Sequence, residues 1–225
     1  MRCFLGDCGP SKRFDPAWLE GGYGLVHLEG YALYNTEYAL NLMRKAKEAG
    51  MRVSMDLASF ELVRNFYDTI MHDVLEAGLL DYGECKQPPR TRSGGLTGKK
   101  VFCNEEEARE VAAGFGLDVT LDILRKHCEV AVVTLGKRGC IVQTRDAGRV
   151  ECETRPAEVV DTIGAGDFFC AGFLHAHMNG ASVEVAAACG NELAGSVVRV
   201  PGTELDGATW AEVQQRVRRL VPPPG

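Results

Sequence analysis

The most informative motif of this 225-residue sequence is Asp161-Thr162-Ile163-Gly164-Ala165-Gly166-Asp167, and an apolar segment with helical periodicity, Phe168–Leu174, follows directly. Small residues let a backbone turn tightly and approach a ligand closely. The first amides of a helix have no internal acceptor and lie at the positive end of its dipole, so the turn is predicted to bind an anion such as a phosphate. Asp167 lies just inside the helix, where phosphoryl transfer needs a base for the attacking hydroxyl. The alternative interpretation is an ordinary helix start with an acidic first turn.

Apolar runs alternate with helical patterns along the rest of the chain. Strands are predicted at residues 2–5, 25–28, 51–56 and 130–135, with a hairpin at 139–144 and 149–153. Helices are predicted at residues 35–49, 62–77, 165–178, 183–198 and 209–220. This alternation predicts an α/β fold in which helices cover both faces of a mostly parallel sheet. Ligands of such sheets bind at the carboxyl ends of the strands.

Composition is that of an ordinary globular protein, with 45% apolar and 25% charged residues. A net charge of −6 argues against a general nucleic-acid binder. No apolar run approaches the ~20 residues of a membrane span, and no signal peptide is recognisable. The nine cysteines form no Cys-x-x-Cys pair, which favours reduced thiols that serve mostly as small core residues. The prediction is a cytoplasmic protein, with a plastid location left open.

Four further segments carry a family resemblance: Leu28-Glu29-Gly30-Tyr31, Ser54–Phe60, Asn104–Ala108 and Val133–Gly139. Together with the stretch at 161–167, and in the same order, they resemble the ribokinase-like, or PfkB, family of carbohydrate and nucleoside kinases. The sequences Ser54–Phe60 and Cys103–Ala108 are similar to those of adenosine-kinase-like members. The resemblance implies a three-layer ribokinase-like fold, with residues 1–225 forming the C-terminal portion of a single kinase domain.

The resemblance also implies an ATP site made of two sets of residues. The first set holds the transferring phosphate through backbone amides: Gly164, Ala165, Gly166 and Asp167. The second set flanks the nucleotide: Thr134, Gly136, Gly139 and, on the adenine side, Asn191. For Asn191 the alternative is a polar residue on a partly exposed helix.

Two metal sites follow from the same resemblance. Asn104 and Glu107 would orient Mg²⁺ and its waters, because a hard ion prefers oxygen ligands. Asn104 and Glu107 are equally typical of a helix N-cap with an acidic first turn. Asp161 and Ile163 occupy positions whose backbone oxygens would bind a monovalent cation, K⁺.

Two segments depart from the family pattern. Residues 83–100 carry one acid, five bases, two prolines and four glycines, which predicts a disordered insertion. Without it, Leu80-Asp81-Tyr82 would join Val101–Asn104 as one strand. Both a translated intron and a genuine loop insertion would explain this segment. The glycine-rich opening and the lid of the family have no counterpart, so the kinase domain is expected to be N-terminally truncated.

The function expected from these features is ATP-dependent transfer of the γ-phosphate to a hydroxyl of a sugar or nucleoside, with Asp167 as the base. The alternative is a truncated, noncatalytic nucleotide-binding or regulatory module. Expected partners are ATP and a small sugar or nucleoside, without nucleic acid or membrane, in a monomer or weak homodimer. The chain by itself is expected to bind ATP weakly and to phosphorylate acceptors inefficiently.

Overall fold

A computed structural model of the protein describes residues 2–5, 23–79, 100–145 and 148–221. Within these ranges seven strands are hydrogen-bonded in chain order. They are β1 (Arg2–Leu5), β2 (Tyr23–Glu29), β3 (Arg52–Asp56), β4 (Lys100–Asn104), β5 (Val130–Thr134), β6 (Cys140–Thr144) and β7 (Gly148–Cys152). Strands β1 to β4 pair in parallel. The predicted α/β fold with a mostly parallel sheet is therefore confirmed.

The helices between these strands are α1 (Thr36–Glu48), α2 (Phe60–Asn65), α3 (Glu105–Val111), α4 (Leu117–His127), α5 (Ala165–Met178), α6 (Val183–Val197) and α7 (Gly207–Leu220). A 3₁₀ segment spans Gly30–Asn35, and a π-helical segment spans Thr69–Glu76. Polar caps explain several starts, since the side chains of Asn35, Ser59 and Asp206 each accept an amide three residues on.

The predicted helix at 62–77 is wrong as a single element. Its α-helical part ends at Asn65, because Phe66 leaves the helical conformation with φ −117° and ψ 23°. The π-helical segment then continues the chain to Glu76. Helices α3 and α4 were not predicted as elements, although Asn104 was identified as a candidate cap.

The described residues form two compact units. Those of the first unit fall within residues 1–88, 96–133 and 143–148, and those of the second within 134–142 and 149–225. In the first unit, β2 and β3 pair in register from Leu25↔Arg52 to Glu29↔Asp56. Their interior residues Val26, Leu28, Val53 and Met55 are almost fully buried, as in sheets covered on both faces.

Helices α5 and α6 pack closely in the second unit because two glycines remove side chains from the contact. A Cβ atom on Gly172 would lie 2.6 Å from the Cys189 carbonyl oxygen, and one on Gly190 would lie 2.8 Å from the Phe169 ring. Phe169 and Phe173 are themselves buried and stack with ring centroids 6.2 Å apart. This packing fixes the start of α5, where the predicted anion-binding turn lies.

The predicted insertion, the joined strand and the single-domain assignment all involve residues next to or outside the ranges that the structure describes. Strand β4 begins at Lys100, the last residue of the predicted insertion, and Lys100 is buried. Residues 83–99 and Leu80-Asp81-Tyr82 lie outside the described residues, so the insertion and the joined strand stay predictions, as does the single-domain assignment. No helix in the described ranges is long and apolar enough to cross a membrane.

Candidate functional site

At the turn before α5, two backbone amides take no part in the hydrogen bonds of the helix. Gly164 is the N-cap in the left-handed region at φ 76°, and the Phe168 amide donates to its carbonyl at 2.9 Å. The Ala165 amide donates to the Thr162 carbonyl at 3.2 Å, so it is engaged within the turn. The amides of Gly166 and Asp167 lie in the first turn of α5. The helix contains no carbonyl four residues earlier that could accept them. Of the four amides predicted for the phosphate, these two are the best placed to bind an anion.

Asp161 holds this turn in shape through its side chain. One carboxylate oxygen accepts the Ile163 amide at 3.0 Å, and the other accepts the Gly202 amide at 2.9 Å. These bonds lower the pKa of the Asp161 carboxyl. The amides of Val160 and Asp161 both donate to the Val198 carbonyl, at 2.8 and 3.2 Å. The turn is therefore attached to the connection after α6, while cation binding by the backbone oxygens of Asp161 and Ile163 stays a prediction.

A cavity of about 480 Å³ opens beside the turn, entirely within the second unit. This volume lies in the range of small-molecule and cofactor sites. Six of the predicted site residues line it: Thr134, Gly136, Gly139, Ala165, Gly166 and Asn191. Gly164 and Asp167 belong to the same turn but do not line the cavity. Asn104 and Glu107 belong to the first unit.

Gly136 and Gly139 line the cavity from the loop between β5 and β6. Both have positive φ, at 58° and 91°. A Cβ atom on Gly139 would lie 2.0 Å from the Cys152 carbonyl oxygen, so no other residue fits between β6 and the end of β7. The Leu135 amide donates to the Gly139 carbonyl at 2.8 Å and closes the loop.

Several lining residues were missed from the sequence. Ala194, Gly195 and Val198 follow Asn191 at three, four and seven residues, which places Asn191, Ala194 and Gly195 on one face of α6 and Val198 at its C-cap. The spacing of these residues in the sequence indicates one helical face with small side chains. The segment Thr154–Ala157 also lines the cavity, but it contains no motif.

Asn191 is buried, with 9% of its surface exposed. Its side-chain amide donates to the carbonyls of Cys152 and Glu153, at 3.0 and 3.3 Å. Asn191 therefore positions the segment that follows β7, which forms part of the cavity wall. Its predicted contact with adenine stays a prediction.

Asp167 lies in the first turn of α5 with an exposed side chain. Partial desolvation raises the pKa of its carboxyl above the usual value. A carboxylate with a raised pKa accepts a proton more readily than an ordinary one. The position thus has the chemistry of a general base.

Asn104 and Glu107 form a reciprocal capping box at the start of α3. The Asn104 side-chain oxygen accepts the Glu107 amide at 3.0 Å, and the Asn104 amide donates to the Glu107 carboxylate at 2.9 Å. Burial, followed by the nearby Asp56 carboxylate, raises the pKa of Glu107 to about 7. The helix-cap interpretation is thus what the geometry shows, while the magnesium role stays a prediction. The described residues contain no cluster of three or more His, Cys, Asp or Glu side chains suited to a metal.

Comparison with known proteins identifies relatives of this chain. Residues 99–210 match the model of the pfkB family carbohydrate kinases. The chain is 30% identical over 120 residues to a nucleoside kinase of Methanocaldococcus jannaschii, covering 53% of this chain and 39% of that protein. It is 33% identical over 177 residues to a 2-dehydro-3-deoxygluconokinase of Bacillus subtilis, covering 78% of this chain and 49% of that protein. The adenosine kinase structure from Sinorhizobium meliloti superposes with a TM-score of 0.74 and 26% identity, over 90% of this chain and 57% of that one.

These matches confirm the resemblance to the ribokinase-like (PfkB) family and its fold. The relatives are sugar and nucleoside kinases. The chain spans about half the length of the proteins that it matches, or less.

Proposed function

We propose that the chain binds ATP in the second-unit cavity and supports transfer of its γ-phosphate to a hydroxyl of a sugar or nucleoside. The observation that carries this proposal is the opening of the cavity onto Gly166, at the amide-rich start of α5. The kinase relatives support the reaction class. The phosphate acceptor is thus proposed at the level of its chemical class, a sugar or a nucleoside.

Gly166 supports phosphate binding because the space beside it is open. A Cβ atom at this position would meet no heavy atom within 4 Å, although the residue lines the cavity. A phosphate can therefore approach the backbone closely enough to accept the amides of Gly166 and Asp167. The triphosphate would extend from this turn along the cavity, toward the wall formed by Gly136, Gly139 and Asn191.

Asp167 would accept the proton of the attacking hydroxyl. Phosphoryl transfer depends mainly on positioning and on neutralising the charge that spreads over the phosphate oxygens. The α5 dipole and the two amides supply part of that neutralisation. Asn104 and Glu107 of the first unit would hold Mg²⁺ through its waters, and the ion would supply positive charge. These residues suit a hard ion because both offer oxygen atoms. Backbone oxygens of Asp161 and Ile163 would bind K⁺ beside the turn.

Replacement of Asp167 by Asn tests the role of the base. The change keeps the side-chain shape and removes the proton acceptor, so turnover should fall about 10²–10⁴-fold while ATP affinity persists. Because the pKa of Asp167 is raised, parental turnover should also decline on acidification at a higher pH than an ordinary aspartate would give. The measurements are ADP release across a panel of sugars and nucleosides, and ATP affinity by calorimetry.

Glu184→Gln is the matched control, since Glu184 lies in the first turn of α6 and is exposed. Its turnover should equal that of the parent. Turnover of Asp167→Asn within a few-fold of the parent would overturn the base assignment. ATP binding by the parent without turnover on any acceptor would favour the noncatalytic nucleotide-binding module.

A further inference from the structure

Two cysteines face each other across the β6–β7 hairpin of the second unit. Cys140 begins β6 and Cys152 ends β7, so the two residues lie opposite each other on neighbouring strands. Gly139 permits this approach, because a Cβ atom there would collide with the Cys152 carbonyl. Opposite positions on neighbouring antiparallel strands have Cα atoms about 4.5–5.5 Å apart, which is within the span of a disulfide.

The two thiols have different surroundings. Cys140 is 1% exposed, whereas Cys152 is half-buried and lines a separate cavity of about 510 Å³. The neighbouring Cys140 thiol, aided by the hydrogen bond from Asn191, lowers the pKa of Cys152, while the neighbouring Cys152 thiol and burial raise the pKa of Cys140. Asn191 places its side-chain amide 3.4 Å from the Cys152 sulfur.

The other cysteines with described side chains lack this combination of exposure and polar contacts. Cys103, Cys128, Cys170 and Cys189 are buried. Burial raises the pKa of Cys103 and of Cys189, which keeps both as unreactive thiols.

We propose that Cys152 is a peroxide-sensitive thiol, that Cys140 resolves its oxidised form into a disulfide, and that this change displaces the Asn191 side chain. The geometry provides an accessible sulfur, a buried cysteine opposite it on the neighbouring strand, and an amide that contacts Cys152 and also lines the nucleotide cavity.

The chemistry balances with a hydroperoxide as the oxidant. The Cys152 thiolate attacks the terminal peroxide oxygen, the O–O bond breaks, and Cys152 becomes a sulfenic acid. The second oxygen leaves and gains a proton, which gives an alcohol from an organic hydroperoxide or water from hydrogen peroxide. The Cys140 sulfur then attacks the Cys152 sulfur, the S–O bond breaks, and the departing hydroxide takes the Cys140 proton. Two thiols are oxidised to one disulfide, and one hydroperoxide is reduced to water and an alcohol, or to two waters if it is hydrogen peroxide.

Disulfide formation would draw the Cys152 sulfur toward Cys140 and remove a hydrogen-bond acceptor from Asn191. Asn191 also lines the proposed nucleotide cavity, so ATP affinity should fall by about tenfold, the equivalent of one good hydrogen bond. This consequence rests on the proposed function, whereas the thiol chemistry does not.

Peptide mapping tests the thiol chemistry without any nucleotide. The 225-residue chain is treated with hydrogen peroxide, alkylated, and cleaved with trypsin plus a glutamate-specific protease. Cleavage after Arg138 and Arg145 isolates Cys140, and cleavage after Glu151 and Glu153 isolates Cys152. We expect a disulfide-linked pair of these peptides to form faster than any other cysteine is modified, and to disappear on reduction with dithiothreitol.

Two variants sharpen the test. Cys152→Ser should abolish the linked pair, and Cys140→Ala should leave Cys152 as a sulfenic acid that a cyclic dione traps. Oxidation of Cys140 and Cys152 no faster than that of the buried cysteines would overturn the proposal. A disulfide that forms without changing ATP affinity would overturn the link to Asn191. Absence of ATP binding by the reduced chain would instead count against the proposed function alone.

Discussion

Two glycines in the turn before α5 have different physical roles. Gly164 needs its positive φ, and a Cβ atom there would lie 2.5 Å from the Thr203 methyl group, so it is required by the fold. Gly166 has ordinary helical geometry with open space beside it, so the fold does not require a glycine there. The absence of a side chain at Gly166 is instead what the proposed phosphate site requires.

Gly166→Val should weaken ATP binding far more than it destabilises the fold. The branched side chain would fill the space that a phosphate needs, while the helix itself should lose less than about 1 kcal/mol. The comparison uses ATP affinity by calorimetry and unfolding free energy by urea titration. The matched control is Gly207→Val, since Gly207 lies in the first turn of α7 with open space beside it and lines neither cavity. Equal ATP affinity in the two variants would mean that the phosphate does not bind at this turn.

His27 should make the stability of the fold depend on pH in the acidic range. Its Nδ1 atom lies 2.8 Å from the Ser54 hydroxyl, its ring meets Phe102 edge-on, and burial lowers its pKa to about 4. A depressed histidine pKa favours the neutral form in the folded state. Its stabilising contribution is thus present above pH 6.5 and is lost as the pH falls from 6.5 toward 4.

The free energy of unfolding should fall by about 2–3 kcal/mol between pH 6.5 and pH 4 because of His27, and this fall should be absent in His27→Gln. Urea titrations of parent and variant at several pH values measure it as a difference, which cancels the titration of other groups. His72→Gln is the control, because His72 is exposed and Glu76 raises its pKa, so any effect has the opposite sign. Parallel pH profiles for parent and His27→Gln would contradict the assignment.

At the scale of elements, the α5–α6 contact depends on Gly172. Gly172→Ala should cost about 1–3 kcal/mol, because its new methyl group would press on the Cys189 carbonyl and backbone there cannot move without separating the helices. Gly195→Ala is the control on the same helix pair. At that position the nearest atom to a Cβ is the Thr154 hydroxyl at 3.9 Å, so alanine should stabilise the helix by about 0.5–1 kcal/mol. Denaturant titrations that give both variants the same stability would mean that the helices are not held this closely.

The elements with a clear period or cap were predictable from sequence. Helix α1 follows its Asn35 cap and ends before Gly50 at φ 75°, as its pattern predicted. The break after Asn65 was not predictable, because residues 62–77 keep a helical apolar period through the π-helical segment. The opposition of Cys140 and Cys152 was also not predictable, since it arises from the pairing of β6 with β7 and not from a Cys-x-x-Cys spacing.

At the scale of the whole molecule, the candidate site combines local motifs with contacts that only folding creates. The turn at 161–167 carries its own signature, and the glycines after β5 carry another. The Asp161–Gly202 hydrogen bond and the Asn191 contacts join residues 38 to 41 positions apart, so no local pattern encodes them. Burial of Asn191 likewise depends on how α6 packs against the segment after β7.

Nucleotide binding should therefore leave a local signature in the second unit. With Mg²⁺-ATP at about 100 times its dissociation constant, ligand binding stabilises the state that binds by about 2.7 kcal/mol. Amide hydrogen exchange should slow in α5 and α6, whose residues Gly166 and Asn191 line the cavity. Adenosine at the same concentration should protect these helices less, because it lacks the phosphates that the turn before α5 would bind. Equal protection by adenosine and ATP would show that the turn contributes no phosphate binding. Unchanged exchange in both helices with ATP would place the nucleotide outside this cavity.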